Sequence, residues 1–132
     1  MALEYRVRGN IAADELSALI SSSWEPPWTA NWPAILARSL TWVTAHENGR
    51  LVGFVHVAWD GASHAFLLDP TVHPFVRRKG VGTNLIRAAA RSAQDSGAEW
   101  LHVDYEPHLE GFYAGCGFRP TRAGLMRLSS EP

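Results

Sequence analysis

From Leu3 to Arg8 apolar and polar residues alternate, the period of a strand with one face buried. Asp14 then supplies a helix cap, and Leu16, Leu19 and Ile20 fall on one helical face. Pro26 and Pro27 break that helix because proline cannot continue it. Pro33 suits the first turn of a second helix, with Ile35, Leu36 and Leu40 on one side. Thr41 to His46 and Leu51 to Trp59 read as strands joined at Asn48-Gly49, a pair that tolerates the positive φ of a tight hairpin. His64 to Val72 continues the meander, with Pro70 inside it. Proline donates nothing to a ladder, so a sheet edge, a bulge or a splay is expected there.

A helix is predicted from Thr83 to about Ser96, striped by Leu85, Ile86, Ala89, Ala90 and Ala93 and ended by Gly97. Trp100 to Asp104 reads as a short strand. Pro107 opens a short helix to about Tyr113, and Gly115-Cys116-Gly117 terminates it. Two weak strands are expected near Phe118 and from Leu125 to Leu128. The order is β-α-α-β-β-β-α-β-α-β-β, one α/β domain over residues 1–132 with a mixed sheet and no linker or repeat.

Composition narrows the functional classes. The chain has 132 residues, 46% hydrophobic and 19% charged, enough for one core. Its net charge of −1 lacks the basic excess of a general nucleic-acid binder. The charges between Met1 and Arg8 fall where a secretory leader carries its apolar core, and no window has the apolar length of a membrane span. No membrane association is expected. The single cysteine, Cys116, fits a reducing cytoplasm, and the six histidines have no metal-ligand spacing, so no metal is expected.

One basic loop stands out against that balance. Arg77, Arg78 and Lys79 precede Gly80-Val81-Gly82, after a strand and before a helix. The first N–H groups of a helix lack intrahelical partners and carry the positive end of its dipole. Phosphate is bound in such places. The P-loop pattern is absent, and the third glycine of the Rossmann fingerprint is Leu85 here. On the residues alone, a helix start beside a solvated basic loop and an anion cradle both stand. So does a nucleotide-phosphate binder of another class.

Two motifs extend the picture. Arg77-x-x-Gly80-x-Gly82 after Val72-His73-Pro74 resembles the acetyl-CoA signature of the GNAT family of N-acetyltransferases. Phe112-Tyr113-Ala114-Gly115-Cys116-Gly117-Phe118 resembles that family's Phe-Tyr-x-x-x-Gly-Phe segment, and Gly49 to Phe54 its central hairpin. The element order agrees along nearly the whole chain. The resemblance implies a mixed, mostly antiparallel sheet of about seven strands, splayed between the fourth and fifth and flanked by about four helices. It also implies acetyl-CoA as co-substrate and direct transfer to an amine without an acyl-enzyme. Pro70, Thr71 and Val72 would line the pantetheine arm. Backbone N–H groups from Arg78 through Lys79, Gly80, Val81 and Gly82 to Thr83 would hold the pyrophosphate, with Arg77 at the first motif position. An N–H near Val72 would polarise the thioester carbonyl.

The resemblance makes Tyr113 the residue that protonates or stabilises the departing thiolate; a packed tyrosine with a solvated hydroxyl is the alternative. His102 stands where several members carry a glutamate base, and a histidine's unperturbed pKa suits that task. Asp104 would orient His102 or act as base itself; equally, His102 is a half-buried strand histidine and Asp104 a turn cap. Asp69 and Glu25 remain possible bases through a water chain. Many members carry an asparagine seven residues before the tyrosine; here it is Glu106, followed by Pro107, so that contact with the cofactor arm is open.

The family places substrate specificity between its first two helices. Here Trp24, Glu25 and Trp28 would form an aromatic and acidic wall for a small amine, while at least one of Trp24, Trp28 and Trp32 packs in the core. Cys116 reads as packing and not as a nucleophile. A non-catalytic acyl-CoA-binding module and a protein or peptide amine acetyltransferase are the alternatives to a small-molecule enzyme. Similar proteins are often homodimers, and the resemblance leaves that assembly open.

Overall fold

The computed structural model describes residues 3–24 and 30–129. The elements run β1 (Leu3–Val7), α1 (Ala13–Ser23), α2 (Trp32–Arg38), β2 (Thr41–Glu47), β3 (Arg50–Trp59), β4 (His64–Val72), α3 (Val81–Asp95), β5 (Trp100–His102) and α4 (Glu110–Gly115). Single 3-10 turns lie at Pro74–Val76 and Pro107–Leu109. The strands form one sheet in chain order, with β1 to β4 antiparallel and β5 parallel to β4.

Local chemistry sets most boundaries. Asn48 and Gly49 sit at φ 52° and 80°, which closes the β2–β3 hairpin on Glu47 and Arg50. Asp60 Oδ1 accepts the N–H groups of Ala62, Ser63 and His64 at 2.8, 3.0 and 3.1 Å and so shapes the β3–β4 turn. Those bonds, led by Ala62, hold its carboxyl below the usual value. α1 begins at Ala13, so Asp14 lies in its first turn and not at the cap. Asn31 caps α2 by accepting Ala34 N–H at 3.1 Å, ahead of Pro33. α3 starts two residues before the expected Thr83, because Gly80 at φ 78° is its cap.

The sheet is covered on both faces. Val43, Ala45, Val55, Val57, Ala65 and Leu67 pack with Val81, Leu85, Ile86, Ala89 and Ala93 of α3. On the other face Leu51 and Phe54 pack with Leu16, Leu19 and Ile20 of α1 and with Trp32. Gly53 lies under α3. A Cβ there would sit 2.9 Å from Leu85 Cδ1, 3.1 Å from Ala45 Cβ and 3.2 Å from Val81 Cγ1. Only a glycine lets the helix settle this close to β3.

β5 pairs with β4 only at His64–Trp100, Ala65–Leu101 and Phe66–His102. Beyond Phe66 the two strands part, which leaves Leu67 to Val72 without a β5 partner. This is the expected splay. The strand count differs: the described residues hold five strands and not about seven. Phe118 caps α4, and Leu125, Met126 and Leu128 are exposed outside any ladder. Apolar residues alone do not make a strand, which also needs a neighbour for its backbone groups.

Candidate active site

The opened end of β4 is irregular. Phe54 pairs with Thr71 and His56 with Leu68, so Asp69 and Pro70 together oppose Val55. That is a β-bulge, and Pro70 sits where no ladder N–H is required. Asp69 takes φ 53°, a left-handed conformation that costs a non-glycine residue about 1 kcal/mol or more. Neighbours hold this shape. Thr71 Oγ1 donates to Asp69 C=O at 3.0 Å and accepts Trp24 Nε1–H at 2.9 Å. Val72 C=O accepts from Ser23 Oγ at 3.3 Å and from Arg77 Nε at 3.2 Å. Arg77 thus ties the basic loop to the strand.

The loop then turns sharply. His73 N–H donates to Val52 C=O at 2.7 Å, and His73 Nδ1 accepts Phe75 N–H at 3.2 Å. Burial, with Arg50 and Arg77 nearby, holds the His73 pKa down and so favours the neutral ring this cap needs. Arg78 at φ 68° and Gly80 at φ 78° bring the chain into α3. The first intrahelical bond runs from Asn84 N–H to Gly80 C=O at 3.0 Å. The N–H groups of Val81, Gly82 and Thr83 precede it at the positive end of a 15-residue helix. Lys79 Nζ instead lies 3.9 Å from Glu47 Oε2 in a surface pair.

α4 completes the site through its own cap. Phe118 N–H bonds Tyr113 C=O at 3.1 Å and Gly117 N–H bonds Ala114 C=O at 3.0 Å, with Gly117 at φ 103°. This is a Schellman ending, and its apolar contact is the Phe118 ring against the Tyr113 ring, centroids 5.7 Å apart. The Phe-Tyr-x-x-x-Gly-Phe spacing is therefore a helix terminator that also fixes Tyr113. Tyr105 stacks on Tyr113 at 4.9 Å, leaving it 4% exposed. Burial first, then the electrostatics of Cys116 and Asp104, raises its pKa above the ordinary value, so the phenol keeps its proton through the neutral range. Burial likewise raises the Cys116 thiol, which is a neutral packing group and not a ready nucleophile.

These elements meet. A Cβ on Gly82 would lie 3.4 Å from Phe112 Cζ and 3.8 Å from Val72 Cγ2. The end of β4, the start of α3 and the aromatic face of α4 converge there. The family resemblance implies that Gly82→Val, by filling that gap, weakens acetyl-CoA binding about tenfold or more, measured by calorimetry. Lys79→Ala, which loses only an exposed pair, is expected to change affinity by less than about threefold. The reverse order would shift the anion-holding role from backbone to charge.

Other predicted positions lie apart. His102 Nε2 is 2.8 Å from His64 Nδ1, and its ring stacks on Phe66 at 4.7 Å, where β4 and β5 still pair. Asp104 is exposed beyond the end of β5. Trp24 is 40% exposed beside the bulge, whereas Trp32 is buried against Phe54 and His56. Glu25 and Trp28 lie outside the described residues. Among the described residues no group of three or more His, Cys, Asp or Glu is placed to hold a metal, and no helix is long and apolar enough to cross a membrane.

Sequence reading passed over His56. Its Nε2 is 2.8 Å from Asp69 Oδ2 and its Nδ1 is 3.3 Å from Ser39 Oγ. A histidine among valines on a strand carries no signal of its own. The register of β3 on β4 brings it to Asp69.

The family model described as "Acetyltransferase (GNAT) family" matches residues 11–118. A GNAT family acetyltransferase of Streptococcus pneumoniae TIGR4 superposes with a TM-score of 0.82 at 22% identity, over 98% of this chain and 100% of that one. An aminoglycoside N-acetyltransferase solved with CoA superposes with a TM-score of 0.79 at 21% identity, over 98% and 95% of the two chains. At such identities the likeness establishes the fold. A mycothiol acetyltransferase of Mycolicibacterium vanbaalenii is 32% identical over 65 residues, 49% of this chain and 22% of that relative's length.

Proposed function

This chain belongs to the GNAT acetyltransferase family, and from that premise we propose that it transfers an acetyl group from acetyl-CoA directly to a primary amine on a small molecule. The observation that carries the reading is the meeting of Val72, Gly82 and Phe112 beside the unpaired edge of β4. These residues fit a pantetheine thioester. The edge from Leu67 to Val72 offers backbone groups with no β5 neighbour, as an added strand requires. Gly82 leaves the start of α3 open to a pyrophosphate.

Bound acetyl-CoA would supply an activated acyl carbon and a thiolate leaving group. The N–H groups of Val81 to Thr83 hold its pyrophosphate. The edge of β4 near Val72 aligns the pantetheine and polarises the carbonyl. Tyr113, kept protonated by burial, donates to the departing sulfur. His102 and Asp104 remain base candidates in this reading, although His102 is hydrogen-bonded to His64. Trp24 would line the amine entrance beside the bulge, with Glu25 and Trp28 as further substrate candidates from the sequence alone. The aminoglycoside enzyme of the same fold supports a small amine. The single cysteine supports a reducing, cytoplasmic setting.

Acetyl-CoA at a hundredfold excess over Kd is expected to stabilise the protein by roughly 2.7 kcal/mol and raise Tm by roughly 8 °C, with no shift from ATP. Thiol release is then followed with an aminoglycoside, spermidine, phenethylamine, lysine and an unblocked peptide. A Tm rise without turnover on any amine favours an acyl-CoA-binding module. Turnover on the peptide alone moves the substrate class to protein amines.

A further inference from the structure

The bulge in β4 builds a second proton-handling unit. His56 is 4% exposed, its ring stacked on Phe54 at 5.7 Å and edge-on to Trp32 at 5.9 Å. Its Nε2 faces Asp69 Oδ2 at 2.8 Å, and the Asp69 side chain keeps 32% of its surface exposed. The strained φ of Asp69 aims the carboxylate back at His56, on the face that carries α1 and α2. Strand rise places Phe66, the partner of His102, roughly 20 Å along β4 from Val72, while Asp69 is about half that distance away.

The hydrogen bonding around the ring fixes its tautomer. Ser39 Oγ lies 3.3 Å from His56 Nδ1 and 2.9 Å from Ile35 C=O. With its hydroxyl on Nδ1, the ring carries hydrogen on Nε2, donated to Asp69, and the pair bears one negative charge. Among the described residues, Trp32 and Phe54 pack on the His56 ring, Ser39 bonds it, and Thr71 Oγ1 donates to the Asp69 carbonyl. None of these titrates in the neutral range.

We propose that Asp69 receives the substrate ammonium and takes its proton, held in place by His56 Nε2–H, whose tautomer Ser39 fixes. The inference rests on the acetyl-transfer reading. R–NH3+ gives one proton to Asp69, whose carboxyl keeps the hydrogen bond from His56 Nε2–H. The freed amine forms the C–N bond as the thioester C–S bond breaks, and the electron pair leaves on sulfur. Tyr113 protonates the sulfur, and the second nitrogen proton restores Tyr113. Asp69 returns its proton to solvent. Asp69 touches substrate; His56 and Ser39 are positioning residues.

The test is kcat/KM against pH for Asp69→Asn and His56→Gln, with the acetyl-CoA shift in Tm as the control for structure. Asp69→Asn is expected to lose roughly 100-fold near pH 7 and to regain rate as rising pH supplies free amine. His56→Gln keeps a donor to Asp69 and is expected to lose roughly tenfold, in kcat and not in KM. Both keep the acetyl-CoA shift. Retention of kcat/KM within about twofold overturns the inference. So does an equal loss at every pH that takes the acetyl-CoA shift with it, which marks a structural role. Wild-type turnover beside an unaffected Asp69→Asn overturns this inference alone. Failure of the wild-type chain on every amine overturns the acetyl-transfer reading and this one with it.

Discussion

Tyr113→Phe should lower kcat for acetyl transfer by roughly 10²- to 10³-fold, within the range of a lost general acid. Acetyl-CoA should still raise Tm as in the wild type. The phenylalanine ring keeps the stack on Tyr105 and the Schellman contact with Phe118, so packing changes little. What is lost is a proton donor that burial holds protonated. The sign follows from that direction. A phenol raised above its unfolded value of about 10 stays neutral through the neutral range, so no basic limb from Tyr113 should appear until about pH 10 is passed. The folded protein then keeps a proton that the unfolded chain releases. Stability from this group is therefore present below about pH 10 and lost as pH rises through the folded value. Stopped-flow thiol release across pH checks the rate, and kcat within about twofold of wild type would reduce Tyr113 to a packing residue.

Gly53→Val should lower unfolding free energy by about 3 kcal/mol, and Gly53→Ala by about 1 to 2 kcal/mol, the cost of overpacking. Leu85 Cδ1 is a side-chain tip and can swing aside. Ala45 Cβ and Val81 Cγ1 cannot, because each stands one short step from backbone. Relief then comes from lifting α3 off β3. Val81 is the first residue of α3, so this shift also moves the N–H groups of Gly82 and Thr83. Acetyl-CoA affinity is expected to fall along with stability in Gly53→Val. Urea unfolding with an unchanged m value, combined with calorimetry, separates the two effects. A stable variant with normal affinity would mean that the sheet absorbs the extra volume without moving the helix.

Legibility in the sequence tracked the range of the forces involved. Asn48-Gly49 turned as expected, since positive φ is a property of those residues. Gly97 and Gly117 ended their helices for the same reason. The β4–β5 splay was legible through Pro70 and the family resemblance, and its form is a bulge that also strains Asp69. The strands expected near Phe118 and from Leu125 to Leu128 were misread. Apolar character reports which side chains want burial, while a strand also needs a partner edge. The three tryptophans were not separable by spacing: Trp32 went into the core, and Trp24 came to the bulge.

By itself the sequence determined the hairpin, the glycines that end α3 and α4, the order of elements through α4 and the glycines that leave the start of α3 open. Each depends on residues within about one turn of one another, where backbone conformation and periodicity decide the outcome. Tertiary structure alone decided that Arg77 ties the loop to Val72, that Lys79 turns toward Glu47, and that His56 meets Asp69 and Ser39. Strand register and helix packing set those contacts. They join residues 5 to 32 positions apart, whose proximity no local preference encodes.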